Sequence, residues 1–187
     1  MLTGLSALMR FGELGLHWVA DRHADWERHE ALRPPPALTI RPADYDRYPR
    51  ASFAFILDDG NGNLVDTFTG RVSKDLVGTP DTTIALTLTA SEMDTIYRAV
   101  IAMRLFEFTE PYPAFRSGAT MVPATHVRLM VRAGGAKREL TWSSGMVSDG
   151  PPSNDWKRIY ALVKLIRRTV AAHPEYQNLP KPNGYYE

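Results

Sequence analysis

TTIALTLTASEMDTIYRAV, residues 82–100, changes its hydrophobic period within a few positions. Ile84, Leu86 and Leu88 recur at every second residue, the period of a strand with one buried face. Then Met93, Ile96, Tyr97 and Val100 fall at helical spacing, on one stripe. Between the two patterns Thr89 and Glu92 stand three apart, the spacing of a capping box that starts a helix. A one-sided strand feeding a one-sided helix needs a sheet whose apolar face the helix covers. That requirement predicts α+β layers.

The flanking sequence supplies the remaining strands. In ASFAFILDD (51–59), Phe53, Phe55 and Leu57 alternate with Ala54 and Ile56, and both sets are apolar, as in a strand covered on two faces. NLVDTFTGRVSKDL (63–76) alternates as Val65, Thr67, Thr69 and Arg71 against Leu64, Asp66, Phe68 and Val72, which reads as one wetter antiparallel strand. Downstream, HVRLMVRAGGAKRELTW (126–142) is a hairpin turning at Gly134-Gly135. A last helix follows, with Trp156, Ile159, Val163, Ile166 and Val170 down one side and Pro174 as its stop. The expected fold is a single antiparallel sheet of about five strands, ordered β-β-β-α-loop-β-β-α, with two helices packed on one face. Residues 1–30 read as a weakly helical appendage. Residues 31–50, with five prolines, read as a linker in which regular structure does not persist. The α+β domain then spans 51–187 and ends in an extended tail.

Composition narrows the function classes. Apolar residues make up 44% and charged residues 23%, the balance of an ordinary globular domain. With 22 basic against 21 acidic residues the net charge is +1, which argues against a dedicated nucleic-acid binder. No cysteine is present, so disulfides, thiol nucleophiles and thiolate metal sites are excluded for this chain. A spanning helix needs about 20 mostly apolar residues. The apolar opening stretch carries Arg10, Glu13 and His17 and has no basic residue ahead of Leu2, so neither a membrane span nor a signal peptide is read there.

Few residues suggest chemistry. DDGNGNLVD (58–66) resembles a calcium loop, but counting from Asp59 puts Leu64 where a glycine is needed and Gly70 where the closing acid is needed. A turn built on Gly and Asn explains it. His23, Glu27 and Glu30 share a helical face without a third strong ligand, so no metal and no cofactor is expected. Ser143, Ser144 and Ser148 lack the spacing of a nucleophile elbow, and no catalytic residue is named. The basic run Lys157, Arg158, Lys164, Arg167 and Arg168 reads as a solvated helix face, with docking on nucleic acid or anionic membrane as the alternative.

Three blocks together, DTFTGRVSKDL (66–76), TIALTLTASEMDTIYRAVIAMRLFEF (83–108) and EYQNLPKPNGYYE (175–187), resemble a family of small uncharacterised bacterial proteins. Many of its members look like secreted proteins or lipoproteins, so the resemblance implies an extracytoplasmic location, although this chain has no cysteine to carry a lipid. The family brings no assigned activity. It implies that Asp66, Thr67, Lys74 and Asp75 belong to a shared feature of the second strand. Asp66 and Lys74 have equal parity and would share one face of an undistorted strand.

The leading expectation is a non-enzymatic binding or interaction domain, offering an open sheet face or edge to a partner such as another protein. The runner-up is an enzyme or ligand carrier with its site between the 105–123 loop and the second strand. Asp66, Lys74, Asp75, Tyr112 and Trp142 are its candidate residues.

Overall fold

A computed structural model describes residues 40–77, 80–108, 126–143 and 154–182. The chain divides into two units after Ala37, and every described residue belongs to the second, Leu38–Glu187. The expected appendage over 1–30 lies outside the described residues.

One antiparallel sheet of six strands organises the domain: β1 (Ala54–Asp58), β2 (Leu64–Asp66), β3 (Arg71–Lys74), β4 (Thr82–Ala85), β5 (His126–Ala133) and β6 (Ala136–Ser143). Their spatial order is β4-β3-β2-β1-β5-β6, with every neighbouring pair antiparallel. The helices are α1 (Pro42–Arg47), α2 (Ala90–Ala102), α3 (Asn154–Ala171) and α4 (Pro174–Gln177). Alternation puts Phe55, Leu57, Val65, Val72, Val127, Leu129, Val131 and Leu140 on one sheet face, and all are buried. Against that face lie Ile96, Tyr97, Val100 and Ile101 from α2, and Ile159, Leu162, Val163, Ile166 and Val170 from α3. The two amphipathic helices thus cover one side of the sheet, as the 82–100 pattern requires. Ile56 and Met130, directly paired on the other face, are only half-buried, so β1 is not covered equally on both sides.

The single strand expected over 64–72 is two. Thr67–Gly70 form a turn, and Val65 sits opposite Val72 across the β2–β3 pair. Asp66 makes the turn: its carboxylate accepts the Phe68 and Thr69 amides and the Thr69 hydroxyl. The Thr67 hydroxyl then continues the ladder, accepting from the Phe55 amide at 2.7 Å and donating to the Phe55 carbonyl at 2.9 Å. The Thr67 amide also donates to the Phe55 carbonyl at 3.0 Å, so the side chain stands in for the acceptor half of a backbone pair.

The helix start at Thr89 is as the sequence predicts. The Glu92 amide donates to the Thr89 hydroxyl, and the Glu92 carboxylate accepts from the Thr89 amide at 2.7 Å. The other Glu92 oxygen lies 3.0 Å from His173 Nε2, joining the start of α2 to the α3–α4 junction. Partial burial pushes the Glu92 carboxyl up, but the Thr89 hydrogen bonds and the neighbouring His173 outweigh it and hold the group below its ordinary value of 4.5. A carboxyl lowered in the folded state stabilises above its unfolded value, and that contribution disappears as pH falls through the folded one. Stability should therefore decline with acid below about pH 4.5, with part of the decline absent in Glu92→Gln, as read from urea midpoints across pH.

At the other end of α2, Arg104 follows the C-cap Met103 in the left-handed region, at φ +56°. Glycine is the usual residue at that position, since a Cβ there costs roughly 1–2 kcal/mol. Arg104→Gly is expected to raise stability by about 1 kcal/mol after glycine's own entropy cost. Its ion pair with Glu107, at 3.9 Å and half-exposed, leaves little to lose. A lower urea midpoint in the variant would contradict this.

Residues 40–50 correct their part of the linker expectation, and 31–39 lie outside the described residues. Pro42 occupies the first turn of α1, where its missing donor is not needed, and the Arg41 guanidinium chelates Asp44 at 2.9 and 3.0 Å. A 3₁₀ turn over Arg50–Ser52 follows. The Tyr97 hydroxyl donates to the Tyr48 carbonyl at 2.7 Å, Tyr48 stacks on Phe106, and Arg50 pairs with Asp94. Proline here initiates structure rather than interrupting it. The start of the tail is corrected likewise: Pro174 stops α3 but starts α4, which ends at Gln177. Among the described residues no helix is long and apolar enough to cross a membrane.

Candidate functional site

The loop between β1 and β2 binds its own backbone. Asp58 Oδ1 accepts from the Gly60 amide at 2.8 Å, and Asp59 Oδ1 accepts from the amides of Asn61 and Asn63, each at 3.2 Å. Gly60 and Gly62 take φ of +74° and +86°. Such a loop turns the chain, as expected from its glycines. One residue further, the Asn63 side-chain oxygen accepts from the Asp75 amide at 3.1 Å, and Asp75 Oδ1 accepts from the Val77 amide. The carboxylates at this end of the sheet are held by backbone donors.

Those bonds shape one wall of a cleft of about 300 Å³ between the sheet and the end of α3. Its apolar floor is Leu57, Val65 and Val72 from the sheet and Val170 from the helix. The polar lining includes Asp59 and Asn63 from the loop, Ser73 from β3, Arg167 from α3 and Tyr176 from α4. Asp59 Oδ2 lies 3.4 Å from an Arg167 guanidinium nitrogen, with the Asp59 side chain largely buried and Arg167 54% exposed. Lys74 Nζ sits over the Tyr176 ring, 5.2 Å from its centre. Burial, with Asp59 nearby, pushes the Tyr176 hydroxyl above its ordinary range, so it remains a protonated donor at neutral pH.

The candidates named from sequence fall in different places. Asp66 caps the Thr67–Gly70 turn, paired across from Ile56 and Arg71 on the uncovered sheet face. Lys74 lies on the helix-covered face, in alternation with Val72, because the chain reverses at the turn. The expectation that Asp66 and Lys74 share a face is therefore corrected: they stand on adjacent strands and opposite faces. Asp75 is buried at the end of β3, beside the cleft loop. Trp142 belongs to the core on edge strand β6, edge-on to Trp156. Four inter-strand spacings, roughly 19 Å, separate its strand from that of Lys74. Tyr112 and most of the 105–123 loop lie outside the described residues; Leu105–Glu107 form a 3₁₀ turn that does not line the cleft.

Of the described members of the expected set, Lys74 and Asp75 adjoin the cleft and Asp66 and Trp142 do not. The sequence sets Asp59 and Asn63 in a turn and Arg167 in a solvated basic face, and gives Tyr176 no role. Arg167 carried one signal: it follows Val163 by four residues and precedes Val170 by three, so it borders the buried stripe while its head stays exposed. Among the described residues no group of three or more histidines and acids is placed to hold a metal. Comparison with protein-family models, with curated proteins and with solved structures finds no match to this chain.

Proposed function

We propose that this chain is a non-enzymatic binding domain that takes a small ligand in the cleft between the β1–β2 end of the sheet and the α3–α4 corner. The observation that carries the reading is the cleft's composition: an apolar floor of Leu57, Val65, Val72 and Val170, rimmed by a few polar groups on three separate elements. Ligand pockets have this make-up, and about 300 Å³ is at the small end of their range. Binding is favoured over catalysis by how the acids are used. Asp59 and Asp75 each commit a carboxylate oxygen to backbone amides, and the other Asp59 oxygen faces Arg167, so both acids are used to anchor the chain. Asp66 lies on the opposite sheet face, and Trp142 lies on edge strand β6.

The test is a titration with 1-octanol, a neutral apolar probe, followed through the methyl resonances of Val65, Val72 and Val170. Saturable shifts at these methyls are expected, and Ala171→Trp, which fills the cleft from an exposed helix position, should abolish them. Shifts that survive Ala171→Trp, or that map elsewhere, would remove the reading.

A further inference from the structure

Resting on that reading, the geometry points to a ligand with an anionic head, specifically a small carboxylate with an apolar body, as what the cleft is built to hold. The lining is dominated by donors. Arg167 offers its guanidinium, the Tyr176 hydroxyl donates, and Lys74 stands against the Tyr176 ring with its ammonium charge. Asn63 spends its side-chain oxygen on the Asp75 amide, which leaves its NH₂ to donate. The opposing acceptor is Asp59, and one of its oxygens is already taken by two loop amides.

The Asp59–Arg167 pair is long for an ion pair. At 3.4 Å it falls outside the 2.7–2.9 Å expected of a charge-assisted hydrogen bond, and Arg167 is 54% exposed. A planar guanidinium is shaped to bind a carboxylate with two parallel bonds, and this one makes a single loose contact. An incoming carboxylate therefore meets an arginine with unused donors and a phenol, with Lys74 against the phenol ring beside the cleft, while its hydrocarbon part lies over Leu57, Val65, Val72 and Val170. Of the charged groups, Arg167 and Asp59 line the cleft and Lys74 and Asp75 lie beside it, so the sign of the ligand is set by the donors left unused, those of Arg167 above all.

Octanoate, 1-octanol and octylamine share a hydrocarbon body and differ in the charge of the head, so their affinities for the full chain isolate that sign. Octanoate is expected to bind roughly ten-fold more tightly than 1-octanol, an increment of one good charged hydrogen bond, and octylamine more weakly than either. Arg167→Gln should bring octanoate down to the level of 1-octanol. Asp59→Asn keeps the oxygen that accepts the Asn61 and Asn63 amides while removing the competing charge, and should tighten octanoate several-fold. It provides a second arm if Arg167→Gln fails to fold. Equal binding of octanoate and 1-octanol, unmoved by either variant, would overturn the anionic ligand and leave the cleft reading standing. Preference for octylamine would assign the site to Asp59 and overturn it too. No binding of any probe would remove both inferences together.

Discussion

Replacing Phe55 by alanine is expected to cost about 3–5 kcal/mol, the range for truncating a fully buried aromatic residue. Phe55 is 0% exposed and lies on β1, which has a hydrogen-bonded neighbour on each side. Its ring approaches Phe53, which in turn meets Tyr97 of α2 edge-on. Removing it therefore opens a void between sheet and helix where the backbone is least able to collapse. Total stability for such a domain is only about 5–15 kcal/mol, so a large fraction goes. The midpoint of thermal unfolding should fall by roughly 10 °C or more. Ile56→Ala is the comparison: the next residue points to the uncovered face, half-buried beside Met130, and should cost about 1 kcal/mol. If the two variants were equally stable, the helix-covered face would not be the core.

That contrast also measures what the sequence discloses. Burial on one face of a strand forces alternation, and burial of one helix stripe forces 3.6 spacing, so the sheet, both long helices and the capping box can be read directly. The Thr67–Gly70 turn was masked because alternation runs through it without a visible break. Val65 and Val72 are seven apart, so a continuous strand would send them to opposite faces, yet they pair directly on the core side. Two valines of opposite parity, with Asp66 and Gly70 between them, are the signal of a reversal: an acid to bond the turn amides and a residue at φ +66°. The prolines misled for a different reason. A proline breaks a helix only after its first turn, and Pro42 and Pro174 both stand in the first turn.

The cleft was illegible for a more basic reason. Asp59 and Arg167 are 108 residues apart, and Tyr176 joins them only because α4 folds back after Pro174. No local period relates such residues. Asp66, Lys74 and Asp75 attracted attention because they are charged and clustered along the chain, but a turn placed Asp66 and Lys74 on opposite sides of the sheet. Proximity along a chain that reverses is a poor guide to proximity in space.

Gly60→Ala is the second large effect, expected at about 2–5 kcal/mol, and it ties the loop to the site. Gly60 sits at φ +74°, where an L-residue costs roughly 1–2 kcal/mol. Its added Cβ would also lie 2.5 Å from the carbonyl oxygen of His126, where β5 begins. That oxygen belongs to backbone paired with β6, so relief must come from moving the loop, at a further cost of roughly 1–3 kcal/mol. Gly62→Ala meets the flexible carboxylate of Asp81 instead, which can swing away, so the conformational cost of roughly 1–2 kcal/mol should stand nearly alone. Gly135→Ala points into open space and should change stability by less than about 0.5 kcal/mol. The expected order of destabilisation by urea denaturation is therefore Gly60, Gly62, Gly135. Because the same loop sets Asp59 and Asn63 in the cleft wall, Gly60→Ala should also weaken octanoate binding, whereas Gly135→Ala, on the β5–β6 hairpin, should leave it unchanged. A Gly60→Ala protein as stable as Gly135→Ala would mean that the loop does not press on the start of β5, and the wall of the cleft would then have to be drawn elsewhere.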